Sequence, residues 1–307
     1  MTGIICLNKP EGITSFQAVR QLRAIAGEKK AGHCGTLDPL ATGVLPVMLG
    51  GATRFLEYLP TTPKAYLAAL KLGVRTDTLD RTGTVLEERD VTVSRDDLLA
   101  ALDGFRGDQL QVPPMYSALK KDGVRLYDLA RKGEDVAREP RPVSIYKLDL
   151  LPDGTDGTDP AAGEYVLDVS CSGGTYIRSL IDDLGTALGC GAVMTALQRT
   201  QVGVFSLEDA VTIPELEAAR DNGTLPSLLR PLDETMTFLD AVTVTDPQAV
   251  RFRNGGALAL DRLPLRSGPY PEETLFRVYD KERHFLGLGA VSPEAEELAV
   301  RRVFVNR

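Results

Sequence analysis

One carboxylate stands in a stretch whose make-up suits chemistry. Asp38 lies within Ala31-Gly32-His33-Cys34-Gly35-Thr36-Leu37-Asp38-Pro39-Leu40-Ala41-Thr42-Gly43-Val44-Leu45-Pro46, among apolar and small residues. Glycine reaches backbone conformations closed to other residues, and proline fixes φ and removes a donor. Bracketed by Gly35 and Gly43 and stiffened by Pro39 and Pro46, the run reads as a shaped loop leading into a buried strand, Thr42 to Met48. A charge in such a setting costs free energy unless it is paired. A lone carboxylate held this way can act as a nucleophile. Asp-Pro is also common turn chemistry, and perturbed carboxylates serve structure too.

The remaining reactive residues narrow the choice. Four cysteines (Cys6, Cys34, Cys171, Cys190) form no CxxC pair, and there are only two histidines. That speaks against a zinc site and against a disulfide framework, and for buried thiols in a reducing cytoplasm. A glycoside hydrolase needs a second placed acid. The acidic pairs Asp96-Asp97 and Asp182-Asp183 read instead as helix-cap and helix-face residues. No metal and no cofactor are expected.

The elements that must position Asp38 follow from periodicity. Ile4 to Leu7 is a short strand, and Thr14-Ser15 caps a helix with Phe16, Val19, Leu22, Ile25 and Ala26 at helical spacing, ended by Gly27. A second helix is expected over about Gly51 to Leu59, closed by Pro60. Lys64 to Val74 alternates as a strand, with Tyr66, Ala68, Leu70 and Leu72 on one face. Ser94 caps a helix to about Phe105, and strands at Val143 to Leu151 and Tyr165 to Ser172 flank an acidic hairpin, Pro152 to Gly163. A helix over Ile177 to Leu188, a strand over Met194 to Val202 and a helix over Pro214 to Asp221 complete this part. The pattern restarts near residue 240 with short strands and one helix from Pro247, a compact β-rich appendage.

At 307 residues the length suits roughly two domains, placed at 1–240 and 241–307. No signal peptide or membrane-spanning run is visible, so a cytoplasmic protein without membrane contact is expected. The net charge of −8 is unevenly spread. Residues 149–242 carry 4 Lys/Arg against 16 Asp/Glu, and the rest of the chain sums to +4. Phosphate binding needs a local basic surface, not a basic total. Residues 111–142 supply one: Lys120, Lys121, Arg125, Arg131, Lys132, Arg138 and Arg141 interleave with Tyr116 and Tyr127. Such a run is most often a solvated face, but cations with interspersed rings also suit RNA.

Gly32-His33-Cys34-Gly35-Thr36-Leu37-Asp38-Pro39-Leu40-Ala41-Thr42-Gly43 resembles the signature of the bacterial tRNA pseudouridine-55 synthases, the TruB family. The likeness continues, in the family's order, through Leu7-Asn8-Lys9-Pro10-Glu11-Gly12, Arg75-Thr76-Asp77-Thr78-Leu79-Asp80, Pro114-Met115-Tyr116-Ser117-Ala118-Leu119-Lys120 and Gly174-Thr175-Tyr176-Ile177-Arg178-Ser179-Leu180-Ile181-Asp182-Asp183-Leu184-Gly185. These blocks cover most of residues 3–210. Cys34 and Thr36 stand where the family more often has Thr and Ala; both replacements are small.

The resemblance implies a mixed α/β (α+β) catalytic domain with a largely antiparallel sheet flanked by helices, an RNA-gripping insertion at about 111–142, and a C-terminal PUA-like RNA-binding domain. It implies cofactor-independent isomerisation of the uridine at position 55 in the T arm of tRNA. The only partner implied is tRNA, with no obligatory protein partner and a monomeric enzyme. Asp38 would be the nucleophile, through C1′, C6 or assistance at C2′. Arg178 would pair with it, and Tyr66 would stack on the target base and take part in proton transfer. His33 would act as a wedge beside the extruded uridine. Lys9 would support the loop or the RNA backbone, Asp77 would orient the loop or the base, Leu197 would line the pocket, and Tyr176 would contact the substrate RNA. Lys120, Lys121, Arg125 and Arg131 would contact RNA. Without the resemblance, Tyr66 and Leu197 read as core residues, Lys9 as an exposed turn lysine, Asp77 as a turn cap and Arg178 as a surface arginine. An RNA-binding protein lacking activity is the alternative of another class, opposed by the joint presence of Asp38, Tyr66 and Arg178.

Overall fold

Strand Gly3–Lys9 sends Ile5 and Leu7 into one hydrophobic cluster and Ile4 and Cys6 into another. Thr42–Leu49 divides likewise, with Leu45, Val47 and Leu49 on one side and Val44 and Met48 on the other. Alternate residues of a strand face opposite ways, so a strand covered on both faces must be apolar throughout. These two strands therefore belong inside a layered fold. In the computed structural model, which describes residues 1–152, 163–265 and 269–305, they sit in one large sheet.

The sheet runs in the order Gly3–Lys9, Thr42–Leu49, Ala192–Val202, Lys64–Leu72, Glu164–Cys171, Arg141–Leu150, Gly107–Gln111. Short strands Ala31–His33 and Phe205–Ser206 pair with the second and third members. Every pairing is antiparallel except one. Thr42–Leu49 and Ala192–Val202 run parallel through Gln198 opposite Thr42 and Arg199 opposite Gly43. That crossing is tight. A Cβ on Gly43, whose φ is +98°, would lie 2.2 Å from the Arg199 carbonyl oxygen.

Helices Ser15–Ile25, Arg95–Leu102, Ile177–Ala187 and Ile213–Asp221 cover one face. Capping boxes at Thr14/Gln17, Ser94/Asp97 and Thr212/Glu215 start three of them by satisfying free N–H groups. In the first helix Ala18, Val19, Leu22 and Ile25 are buried with Ser15. Phe16, expected on that face, is 73% exposed instead, because burying Ser15 turns its neighbour outward. The segment expected as an α-helix after Leu49 is a 3-10 helix, Gly50–Tyr58, which drops Ala52 and Phe55 onto the other face. The expected hairpin over 152–163 falls almost wholly outside the described residues. Within the insertion, Lys120–Lys121 and Val124–Arg125 form a small ribbon that leads into the short helix Leu126–Ala130.

The β-rich C-terminal part has its own sheet, ordered Asp240–Thr243, Leu275–Tyr279, Phe285–Ser292, Glu297–Val303, Leu258–Ala259. Its core gathers Val242, Phe252, Phe276, Val278 and Leu298. It packs against the second face of the large sheet. Phe285 and Phe304 place their ring centroids 5.9 and 6.0 Å from that of Phe55, and the Tyr279 hydroxyl donates to Asp233 at 2.8 Å. Among the described residues no helix is long and apolar enough to cross a membrane.

Candidate active site

Arg178 occupies the first turn of helix Ile177–Ala187 and is 5% exposed. No side chain caps this helix. Instead the buried amide of Gln111 clamps the N-cap backbone, its Oε1 accepting from Tyr176 N–H at 2.8 Å and its Nε2 donating to the Tyr176 carbonyl at 3.1 Å. The edge strand Gly107–Gln111 thereby fixes where the guanidinium starts. Arg178 then donates from Nη2 to the Tyr116 carbonyl and from Nη1 to the Thr78 carbonyl, both at 2.9 Å. Its Nη2 also lies 2.9 Å from Asp38 Oδ2, and its Nη1 lies 3.8 Å from Asp80 Oδ2. One buried cation thus joins two carboxylates and two loops, a planar fork used on most of its edges.

Asp38 is less buried than its apolar neighbours suggested. Its side chain is 38% exposed, while the guanidinium it pairs with is 5% exposed. Its loop is tied down on both sides. The Ser15 hydroxyl donates to the Leu37 carbonyl at 3.0 Å and accepts from Leu37 N–H at 2.8 Å. Ala41 N–H closes the turn on the Asp38 carbonyl at 3.1 Å. Lys9, far from being an exposed turn lysine, is fully buried. Its ammonium donates to the carbonyls of Pro10, Ile13 and Pro39 at 2.8, 2.7 and 3.4 Å. Burial pushes this lysine down to about 8, against the opposing pull of Asp38 and Glu11.

Arg199 went unnoticed in the sequence, although a charged residue in the strand after Met194 was a legible signal. It is fully buried. Its guanidinium donates to the carbonyls of Val44, Thr36 and Gly35 at 2.8, 3.4 and 3.0 Å. Tyr66 lies opposite Arg199 on the neighbouring strand and is 6% exposed. Burial raises its phenol to about 12, with Arg199 opposing and Asp38 adding to the rise. The hydroxyl is therefore protonated at neutral pH.

The other expected residues divide into near and far. His33 ends the short strand Ala31–His33, with its Nδ1 buried and unpartnered. Burial and then Arg199 push its imidazole down, against a backbone bond at Gly35. Leu197 is 8% exposed on the strand that carries Arg199. Tyr176 precedes the Arg178 helix, and burial raises its phenol despite Ser117 and Arg178. Asp77 accepts from Thr84 N–H at 2.8 Å, a turn contact, while the Thr78 carbonyl and the Asp80 carboxylate are the parts of that block that reach Arg178. Lys120, Lys121, Arg125 and Arg131 are exposed on the insertion, and Arg125 and Arg131 stack on the Tyr127 ring at 5.7 and 5.4 Å. The acidic pairs do other work. Asp97 closes a capping box, and Asp182 takes a two-point bond from Arg75 at 2.9 and 3.2 Å.

A half-exposed carboxylate paired with a buried arginine, beside a mixed sheet of this order, points to a pseudouridine synthase. A solved Cbf5–Nop10–Gar1 complex superposes with a TM-score of 0.74 at 27% identity, covering 99% of this chain and 85% of that one. The description "TruB family pseudouridylate synthase (N terminal domain)" matches residues 23–177, and two TruB C-terminal descriptions match 178–237 and 241–304. The chain belongs to the TruB family. It is 44% identical over 306 residues to the tRNA pseudouridine synthase B of Pseudomonas aeruginosa strain UCBPP-PA14, covering 99% of this chain and 96% of that one. It is 45% identical to that of Stutzerimonas stutzeri strain A1501, at 99% and 95% coverage.

Proposed function

We propose that this protein converts uridine to pseudouridine in the T arm of tRNA, at position 55, with Asp38 as nucleophile, no cofactor and no obligatory protein partner. The observation that carries this reading is the 2.9 Å pair between Asp38 and buried Arg178. The reaction breaks N1–C1′, turns the uracil, joins C5 to C1′, releases the C5 proton and returns one to N1. It is redox-neutral and needs no external group. It needs a carboxylate held at a fixed angle while the base is loose, and positioning of that kind can account for a large part of a rate enhancement.

Arg178 aims Asp38, leaving its exposed edge to the incoming nucleotide. A uridine in a folded loop must leave its stack before it can reach Asp38. Tyr66 offers a ring face for the extruded base and, being protonated, a donor rather than a phenolate. His33 fills the space the base leaves, and Tyr176 and Leu197 wall the pocket. Lys9 supports the loop from within, and Asp77 shapes the neighbouring turn. The exposed cations Lys120, Lys121, Arg125 and Arg131 grip phosphates of the stem-loop, where the Tyr127 stack keeps two guanidiniums spread. In this reading residues 1–240 form the catalytic domain and 241–307 a PUA-like RNA-binding domain of a monomeric cytoplasmic enzyme.

The test is tritium release from tRNA carrying 5-tritiated uridine. Wild type should release tritium and produce pseudouridine at position 55. Asp38→Asn should bind the tRNA and release none. Turnover by Asp38→Asn would remove the carboxylate from the mechanism, and inactivity of the wild type would leave an RNA-binding protein.

A further inference from the structure

Lys64 begins the strand that carries Tyr66 and, two residues away, shares its face. Its ammonium lies 3.4 Å from where a Cβ on Gly35 would stand, as does Arg199 Nη1. The lysine therefore reaches the loop that presents Asp38, three residues upstream of it. Half-buried, it has no carboxylate and no hydrogen-bond acceptor among the described residues.

A half-buried ammonium without a counter-charge is costly, and the neighbourhood makes it worse. Arg199, whose Nη1 approaches the same point beside Gly35, has the same sign, and its donors are already committed to backbone carbonyls. The thiols of Cys34 and Cys171 also face Lys64, but burial raises both to about 11, so neither is a thiolate at neutral pH. Burial and Arg199 together push the lysine down. The protein leaves this charge without an answer, beside the one loop that must meet substrate.

We propose that Lys64 binds a backbone phosphate of the RNA strand at the target uridine, so that the phosphodiester supplies the missing counter-charge and seats the nucleotide against Tyr66 and Asp38. This rests on the proposed RNA substrate and adds to it a contact beside the Asp38 loop, apart from the cations of the insertion. A phosphate fits better than a base edge because a lysine acts on phosphate as a compact point charge and needs no fixed fork geometry. Docking against the loop also gives the extruded nucleotide a fixed point on its backbone.

Binding is measured in the Asp38→Asn background with T stem-loop RNA, over a range of salt concentrations. Lys64→Met should weaken binding about tenfold to a hundredfold, and the slope of log affinity against log salt should fall by roughly one ion. Lys64→Arg should restore the slope. Two further RNAs each carry one neutral methylphosphonate linkage, 5′ or 3′ of the uridine. One of them should weaken binding to Lys64 protein while costing Lys64→Met nothing more. An unchanged salt slope in Lys64→Met, or equal losses on both neutral RNAs for both proteins, would overturn the proposal. If Lys64→Met does not fold, Lys64→Gln carries the same comparisons. Tritium release by the protein with Asp38 and Lys64 intact is read in parallel, so a failed substrate reading is distinguished from a failed phosphate contact.

Discussion

Arg199 and Tyr66 stand directly opposite each other on adjacent antiparallel strands, and the Arg199 guanidinium also holds the carbonyls of Gly35 and Thr36. Two parts of the site, the ring expected under the base and the loop carrying Asp38, therefore meet at one buried residue. Arg199→Lys keeps the charge and loses the fork. It should lower kcat about a hundredfold through misplacement of Asp38, with KM for tRNA nearly unchanged. Arg199→Met should in addition cost on the order of 3 kcal/mol of stability, since it strands buried carbonyls. A change confined to KM in Arg199→Lys would contradict this positioning role.

Arg178 makes a second case, because its partners differ in burial. Asp80 is nearly buried, while the Asp38 side chain is 38% exposed. Arg178→Ala leaves Asp80 without its cation and should destabilise the fold by about 3 kcal/mol. Its turnover should fall by at least a hundredfold with little loss of tRNA affinity. Single-turnover kinetics at saturating enzyme, with a filter-binding isotherm, separate the two effects. Weakened binding with normal single-turnover rate would make Arg178 an RNA contact instead.

Much of this architecture was legible in the chain, for reasons that also explain the rest. The strand Lys64–Leu72 and the helix Ile177–Ala187 announce themselves because their burial is one-sided, and one-sided burial leaves a period. The strand Gly107–Gln111 does not, for it lies at the sheet's edge with only Gln111 buried. Yet that glutamine fixes the Arg178 helix, a contact across 65 residues that no local pattern carries. Asp38 stood out by its loop, and Arg178 by family likeness alone. Arg199 and Lys64 each look like an ordinary strand residue until the fold brings Gly43 and Gly35 against them. Phe16 misled for the opposite reason. Its spacing fits the buried stripe, but Ser15 takes that place to hold Leu37.

Lys9 links the site to pH. Its ordinary value is 10.5 and burial lowers it to about 8, so between those values the unfolded chain holds a proton that the folded protein has lost. Stability rises with pH wherever the unfolded state binds more protons. The cost of burying the ammonium is therefore full below pH 8 and fades as pH climbs toward 10.5. Lys9→Met, which leaves the Pro10, Ile13 and Pro39 carbonyls unanswered, should be about 2 kcal/mol less stable than wild type at pH 7. The gap should widen by up to about 3 kcal/mol by pH 10. Urea denaturation of both proteins at unit pH steps gives the curve. A constant gap would mean that the buried amine keeps its proton throughout.

Gly43 tests the crossing on which the site is built. The position has φ of +98°, and its would-be Cβ meets the Arg199 carbonyl oxygen at 2.2 Å and the Arg199 nitrogen at 2.9 Å. Both atoms are backbone, so no side-chain rotation can relieve the overlap. Gly43→Ala must push the strand Thr42–Leu49 away from Ala192–Val202 or fail to fold. Backbone strain alone costs about 1–3 kcal/mol, and the steric shift adds to it. Because Arg199 reaches the Gly35 and Thr36 carbonyls across that seam, the shift should also loosen the Asp38 loop. The expected result is a lower melting temperature together with a loss of turnover beyond the loss of folded protein, measured below the transition. Gly223→Ala is the control. Gly223, just past helix Ile213–Asp221, also has positive φ, at +74°, but nothing lies within 4 Å of its would-be Cβ. That variant should carry the strain cost alone and keep most of its activity per folded molecule. Equal activity losses in the two variants would show that the seam beside Gly43 does not govern the site.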